Sequence, residues 1–244
     1  MLNIEKHINM NSETVLSFFK EITKIPRESG HEEQIIAYLQ QFAVERNLEC
    51  KTDEAGNVLI VKEAAEGCES VPVIVLQSHS DMVCEKNEGV EHDFAKDPIR
   101  YVIENGWMIA PDTTLGADCG IGIAAQLALL DSDVKCGKIE CLFTVSEEVG
   151  LEGATGFDYS RVSATRMINM DSADESEIIA GCAGGVRSTL SFTPAYIDAP
   201  TGAKTLTVSI GGLAGGHSGA DIHLGRVSAV RTMGRLLAAV YNEN

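Results

Sequence analysis

Positive charge is scarce in this sequence. The 244 residues include 19 Lys+Arg against 36 Asp+Glu, for a formal net charge of −17. Binding nucleic acid requires clustered cations that displace phosphate counterions, and docking to an anionic lipid surface requires them too, so both are disfavoured. Long apolar runs are also missing. The run at 71–76 falls far short of the about 20 residues a membrane-spanning helix needs. The N-terminal MLNIEKHINM has neither an apolar core nor a small-residue cleavage site, so nothing there suggests secretion. Cysteine pairs are lacking as well. Cys50, Cys68, Cys84, Cys119, Cys136, Cys141 and Cys182 are odd in number, and no two have C-x-x-C spacing. A zinc knuckle and a disulfide framework are therefore disfavoured, and reduced thiols in a cytoplasmic protein fit best. The glycine-rich stretches at 181–185 (GCAGG) and 211–219 (GGLAGGHSG) lack both the Walker lysine and the dinucleotide fingerprint. No G-x-S-x-G elbow supports a serine hydrolase.

What is present is ordinary globular material, 44% hydrophobic, enough to build a real core. Val15, Leu16, Phe18, Phe19 and Ile22 form a helical stripe after Ser12, a candidate N-cap, and the stripe stops at Pro26. A second helix is expected over 32–46, with Ile35, Ile36, Leu39 and Phe42 on one face. Strands are expected at 48–52 and 58–62, around a turn in which Gly56 permits positive φ. The segments 71–77 and 139–145 are apolar at nearly every position, as in strands buried on both faces; 166–171 reads as a shorter one. Asn105-Gly106 between 101–103 and 107–109 signals a hairpin. Residues 119–130 read as a buried helix. This alternation predicts a layered α/β domain over the first ~190 residues. Beyond it, 204–210 alternates like a half-exposed strand and a helix is expected over 227–241, the opening of a second, α+β domain.

Chemistry concentrates where these elements end. The strand at 71–77 runs into Ser78-His79-Ser80-Asp81, that at 139–145 into Ser146-Glu147-Glu148, and that at 166–170 into Asp171; Gly116-Ala117-Asp118 opens the buried helix. Ligands of open α/β sheets bind beyond the carboxyl ends of strands, so parallel strands would bring these groups into one crevice. One histidine with several carboxylates suits zinc, manganese or cobalt, and clustered carboxylates need a cation to stay ionised together. His79 and Asp81 lie on the same side of an extended segment, which suits a carboxylate orienting a metal-bound imidazole. Adjacent Glu147 and Glu148 point to different sides. Each feature alone has an ordinary reading: a chance His-x-Asp, a solvated Glu-Glu turn, Asp118 as a helix N-cap. Four together at the ends of buried elements point to a metal site. His217, in its glycine turn, is exposed to a substrate or simply part of the turn. His7, His31, His92 and His223 read as surface or capping residues.

The blocks His79-Ser80-Asp81-Met82-Val83, Thr114-Leu115-Gly116-Ala117-Asp118, Ser146-Glu147-Glu148-Val149-Gly150 and Asn169-Met170-Asp171-Ser172 resemble the metal-binding blocks of the co-catalytic zinc peptidases and deacylases. Glu91-His92-Asp93-Phe94 and 181–185 are similar to the aminoacyl-histidine, or cytosol non-specific, dipeptidases within that group. The resemblance covers nearly the whole chain. It implies a catalytic zinc-peptidase domain over 1–187, incomplete at its C-terminal side, and the start of a lid and dimerisation domain over 188–244. It implies two zinc sites, with manganese or cobalt as alternatives: His79 and Asp171 on one ion, Asp118 bridging, Glu148 on the second. It implies Glu147 as general base, Asp81 orienting His79, and His217 reaching the substrate. The expected reaction is hydrolysis of unblocked dipeptides, Xaa-His among them, by a di-zinc-activated water, in a cytoplasmic protein that forms a homodimer through the lid. The alternatives are a zinc amino-acid deacylase and an inactive remnant. Two departures stand out. Cys119 occupies a position usually filled by Asn or Asp, next to a peptide bond that the family holds cis. The family's last zinc ligand, a histidine near the end of a chain about twice as long, has no match, which leaves the second site with Asp118 and Glu148 only and implies little hydrolysis by residues 1–244 alone.

Overall fold

The computed structural model describes residues 12–172, 176–182, 184, 186, 188–217, 219 and 221–242. His7 and parts of the 181–185 segment lie outside them; Gly181, Cys182 and Gly184 are exposed. The chain divides into two units, Met1–Cys182 and Ala183–Asn244.

In the first unit, helices α1 (Ser12–Ile22) and α2 (Glu33–Glu45) are followed by strands β1 (Glu49–Thr52), β2 (Val58–Lys62) and β3 (Ile74–His79). The hairpin β4 (Val102–Glu104) and β5 (Trp107–Ile109) comes next, then α3 (Ala117–Asp131), β6 (Ile139–Thr144), the short α4 (Glu152–Gly156) and β7 (Met167–Asn169). The expected hairpin turn is present, with Asn105 at φ 51° and Gly106 at φ 82°. The main sheet has the order β1-β2-β6-β3-β7. β1 and β2, and β2 and β6, are antiparallel; β3 is parallel to both β6 and β7.

Side-chain alternation sorts the core into two layers. Val58, Ile60, Leu76, Ile139, Cys141 and Phe143 face Phe19 and Ile22 of α1, Ile35, Leu39 and Phe42 of α2, and Ile123 and Leu127 of α3. Leu59, Val61, Val75 and Leu142 face the other way, onto Phe157. Each such fully buried Leu, Ile or Phe stabilises the unit by about 1.5–3 kcal/mol. Both faces of β2 and β6 are thereby covered, as their apolar runs predict.

Three expectations about the helices and strands of the first unit need correction. The third strand begins at Ile74 rather than 71, and Val71 is 47% exposed. Pro72 lacks the N–H that a ladder requires. β7 is shorter than 166–171 and is not buried: Met167 and Ile168 are 56% and 49% exposed because the strand forms the sheet edge, flanked only by β3 among the described residues. Leu16, expected in the buried stripe of α1, is also exposed.

In the second unit, a 3₁₀ turn at Ile222–Leu224 precedes α5 (Ala229–Asn242), close to the helix expected at 227–241. The strand expected at 204–210 is absent. No described strand lies alongside to take its backbone hydrogen bonds, and Leu206 and Val208 are exposed. No described helix of either unit is long and apolar enough to cross a membrane.

Candidate metal centre

The register of the parallel strands decides where the polar residues meet. His79 on β3 stands opposite Thr144 on β6, and Gln77 opposite Asn169 on β7. All three strands therefore end at one edge, and their next residues are Asp81, Glu147, Glu148 and Asp171. The β3 exit is fixed by Ser80, whose N–H and Oγ both donate to Thr144 O, at 2.7 and 2.8 Å. The β6 exit turns at Ser146, a non-glycine residue at φ 52°, and closes with Leu151 N donating to Glu147 O at 2.9 Å. The β7 exit is held by Met170 N donating to Gln77 O at 2.7 Å, and by Asp171 N donating to the side-chain oxygen of Asn169 at 2.9 Å. Asp118 enters from the start of α3, where Gly116 at φ 72° turns the chain and Asp118 and Cys119 depart from helical angles. The Asp118–Cys119 peptide bond is cis, as the resemblance implies.

His79 is buried at the centre. Its Nδ1 lies 3.2 Å from Asp81 Oδ1, and its Nε2 lies 2.9 Å from Asp118 Oδ1 and 3.8 Å from Asp171 Oδ2. An ionised Asp81 can only accept, so Nδ1 carries the proton on that side and Nε2 faces the other two carboxylates. Asp81 is fully buried and saturated with donors: Ser29 Oγ at 2.7 Å, Glu147 N at 3.0 Å and Glu148 N at 3.2 Å, besides the imidazole. Ligand atoms of His79, Glu147 and Glu148 lie within 4.8 Å of one another, and so do those of His79, Cys119 and Asp171.

The electrostatics report a site short of positive charge. Burial works against ionisation of Asp81, yet His79, Ser29 and the two backbone N–H groups hold its carboxyl down at about 2. Burial likewise opposes charge on His79, but hydrogen bonds to Asp81 and Asp118 outweigh it and push the imidazole up to about 9. Burial, then the hydrogen bond and charge of Asp118, push Asp171 up to about 6. Burial and Asp118 also raise Glu148. Imidazole nitrogen and carboxylate oxygen are the donors that divalent zinc, manganese or cobalt takes. The residues present fit such a cation: His79 Nε2 lies 2.9 Å from Asp118 Oδ1 and 3.8 Å from Asp171 Oδ2, and His79 also groups with Cys119 and Asp171 and with Glu147 and Glu148. Cys119 differs in character. It is buried, and burial pushes its thiol up to about 12.

Of the expected site residues, the structure brings His79, Asp81, Asp118, Glu147, Glu148 and Asp171 together in the first unit. His217 belongs to the second, where Gly219 N donates to its Nδ1 at 3.1 Å and its own N donates to Asp221 Oδ2 at 3.1 Å. His31 and His223 are exposed as expected. His92 is not a surface residue. It is 8% exposed, its ring meets Phe94 edge-on at 4.4 Å, and Nε2 is buried without a hydrogen-bond partner among the described residues. Glu91-His92-Asp93-Phe94 folds its two rings together, a contact that the reading of His92 as a surface or capping residue does not anticipate.

Several supporting residues carry no motif. Ser29 holds Asp81, and Asn57, 1% exposed, bonds Asp53, Gly153 O (3.0 Å) and Val145 N (3.1 Å), bracing the loop that carries both glutamates. A Cβ on Gly153 would overlap the Val145 carbonyl and the Asn57 side chain. Gly153→Ala is therefore expected to cost about 1–3 kcal/mol, the range for forced overpacking, read from the urea midpoint. A midpoint unchanged from wild type would show that the loop yields freely.

The site is thus a candidate metal centre: a histidine and carboxylates gathered at the ends of the parallel strands of an α/β sheet. The chain is 42% identical to the cytosol non-specific dipeptidase of Escherichia coli over 94% of its own length and 47% of that protein. It matches the crystal structure of the aminoacylhistidine dipeptidase of Vibrio alginolyticus with a TM-score of 0.71 and 39% identity, over 96% of this chain and 48% of that one. A tripeptidase structure from Staphylococcus aureus matches with a TM-score of 0.56 and 26% identity, over 68% and 44% of the two chains. No protein-family model matches. The chain spans about half the length of the curated relatives it matches, and over that span it is similar to the N-terminal half of the cytosol non-specific and aminoacylhistidine dipeptidases.

Proposed function

We propose that this chain is the metal-binding N-terminal part of a hydrolase that cleaves unblocked dipeptides, Xaa-His among them. The observation that carries the reading is His79, held by Asp81 on one nitrogen and facing Asp118 and Asp171 with the other. The names of the relatives support the substrate class. His79, Asp118 and Asp171 would hold a divalent ion, with zinc the first choice and manganese or cobalt the alternatives; Glu148 would serve a second. Such an ion supplies an activated water and polarises the scissile carbonyl. The remaining chemistry belongs to the chain. Asp81 fixes the tautomer and tilt of His79 through Nδ1. Glu147 is half-buried beside Glu148 with its backbone N–H held by Asp81, which supports the reading in which its carboxylate would take a proton and return it to the leaving amine.

The test joins residues 1–244 to the C-terminal half of the E. coli dipeptidase and supplies Ala-His with zinc. Release of free histidine is expected, with far less from residues 1–244 alone. Glu147→Ala in that fusion should lose about 10²–10⁴-fold in kcat, the usual share of a general base, while zinc content stays at the wild-type level. Acetate released from acetyl-amino acids in place of dipeptide cleavage would assign a deacylase. A zinc-loaded fusion that turns over neither substrate would assign an inactive remnant.

A further inference from the structure

Three of the four ligand-bearing segments leave separate elements near one another: the β3 exit with His79 and Asp81, the α3 entrance with Asp118, and the β6 exit with Glu147 and Glu148. One short loop between α1 and α2 touches all three. The Arg27 side chain is 2% exposed and lies across two of them. Its Nη1 donates to Ser80 O at 3.2 Å and to Asp81 O at 2.8 Å, and its Nη2 donates to Gly116 O. The Arg27 carbonyl accepts from Met82 N at 2.9 Å, so main chain and side chain grip the same exit. Glu32, 6% exposed, reaches the third segment. Its Oε1 accepts from both Ser146 N at 2.9 Å and Ser146 Oγ at 3.1 Å. Ser146 sits in the left-handed region immediately before Glu147, a conformation that a non-glycine residue holds only where its surroundings fix it.

We propose that Arg27 and Glu32 are positioning residues of the metal centre: Arg27 sets the distance between the His79 and Asp118 segments, and Glu32 fixes the backbone over 146–148, whose N–H groups hold Asp81 and through it His79. This rests on the reading of the site as a metal centre. The guanidinium is suited to the task because its donors form a rigid planar fork that can hold carbonyls of two segments at once. A lysine ammonium is one point on a flexible stem and cannot tie Gly116 to Ser80 and Asp81 in the same geometry. For Glu32 the need is an oxygen acceptor, which glutamine also supplies and alanine does not.

The test uses the whole chain and two readouts besides melting: zinc affinity by competition with a chromophoric chelator, and the visible d–d absorption of bound cobalt(II), which reports ligand geometry. Arg27→Lys and Glu32→Ala are expected to weaken zinc binding about 10–100-fold, the usual effect of losing a partner that orients ligands, and to alter the cobalt spectrum. Glu32→Gln should restore both towards wild type. Folded Arg27→Lys and Glu32→Ala proteins with wild-type affinity and spectrum would overturn the proposal, as would Glu32→Gln behaving like Glu32→Ala. Should Arg27→Lys fail to fold, the Glu32 pair decides. A wild-type chain that binds neither ion would bring down the metal reading itself, a result distinct from either of these.

Discussion

Asp81→Ala is expected to lower the stability of the first unit by about 3–5 kcal/mol, the range for removing one partner of a buried ion pair. At roughly 2–4 °C per kcal/mol for a unit of this size, the melting temperature should fall by roughly 6–20 °C. The physical reason is the number of groups that depend on this carboxylate. His79 Nδ1, Ser29 Oγ and the backbone N–H groups of Glu147 and Glu148 all point at it, in a position with no solvent access. Alanine removes the acceptor of three hydrogen bonds and the carboxylate beside His79, whose Nδ1 keeps the Asp81 backbone oxygen at 3.1 Å. Asp81→Asn keeps one acceptor oxygen and should fall between the two. A shift below about 1 kcal/mol for Asp81→Ala, the value of an exposed pair, would show that water replaces the carboxylate at no cost.

Zinc is expected to stabilise the chain and a chelator to reverse the effect. A ligand that binds only the native state contributes RT ln(1 + [L]/Kd), about 2.7 kcal/mol at a hundredfold excess over Kd. That corresponds to a rise of roughly 5–10 °C in melting temperature. The electrostatic source is visible without the ion: Asp171 is held up at about 6 by burial and by Asp118, and Glu148 is raised for the same reasons. A divalent cation removes that repulsion. Asp118→Asn should abolish most of the increment, and because Asp118 is exposed it should do so with little change in stability without zinc. Equal melting temperatures with zinc and with chelator would contradict the expectation.

The sequence carried the elements whose patterning is local and strong. α2 and β6 follow from apolar spacing, and the hairpin follows from Asn105-Gly106. Convergence of His79, Glu147 and Asp171 was readable as three apolar strands running into ligand residues, because parallel pairing puts strand ends on one edge. What escaped depends on neighbours that no period encodes. β7 looks apolar yet lies at the sheet edge, and 204–210 alternates like a strand but finds no described partner. Arg27 and Glu32 sit in a polar stretch, PRESGHE, that reads as a solvated loop. Their burial comes from carbonyls and an N–H supplied by segments 50 to more than 100 residues away. His92 is buried by a ring two positions on, a contact that favours neither helix nor strand.

Calorimetric zinc titration of the dialysed chain, with metal analysis of the product, tests most directly whether His79, Asp118 and Asp171 form one cation site. The predicted result is one tightly held zinc per chain, lost in both His79→Ala and Asp118→Asn. No binding by the wild-type chain, or an unchanged stoichiometry and affinity in both variants, would contradict it.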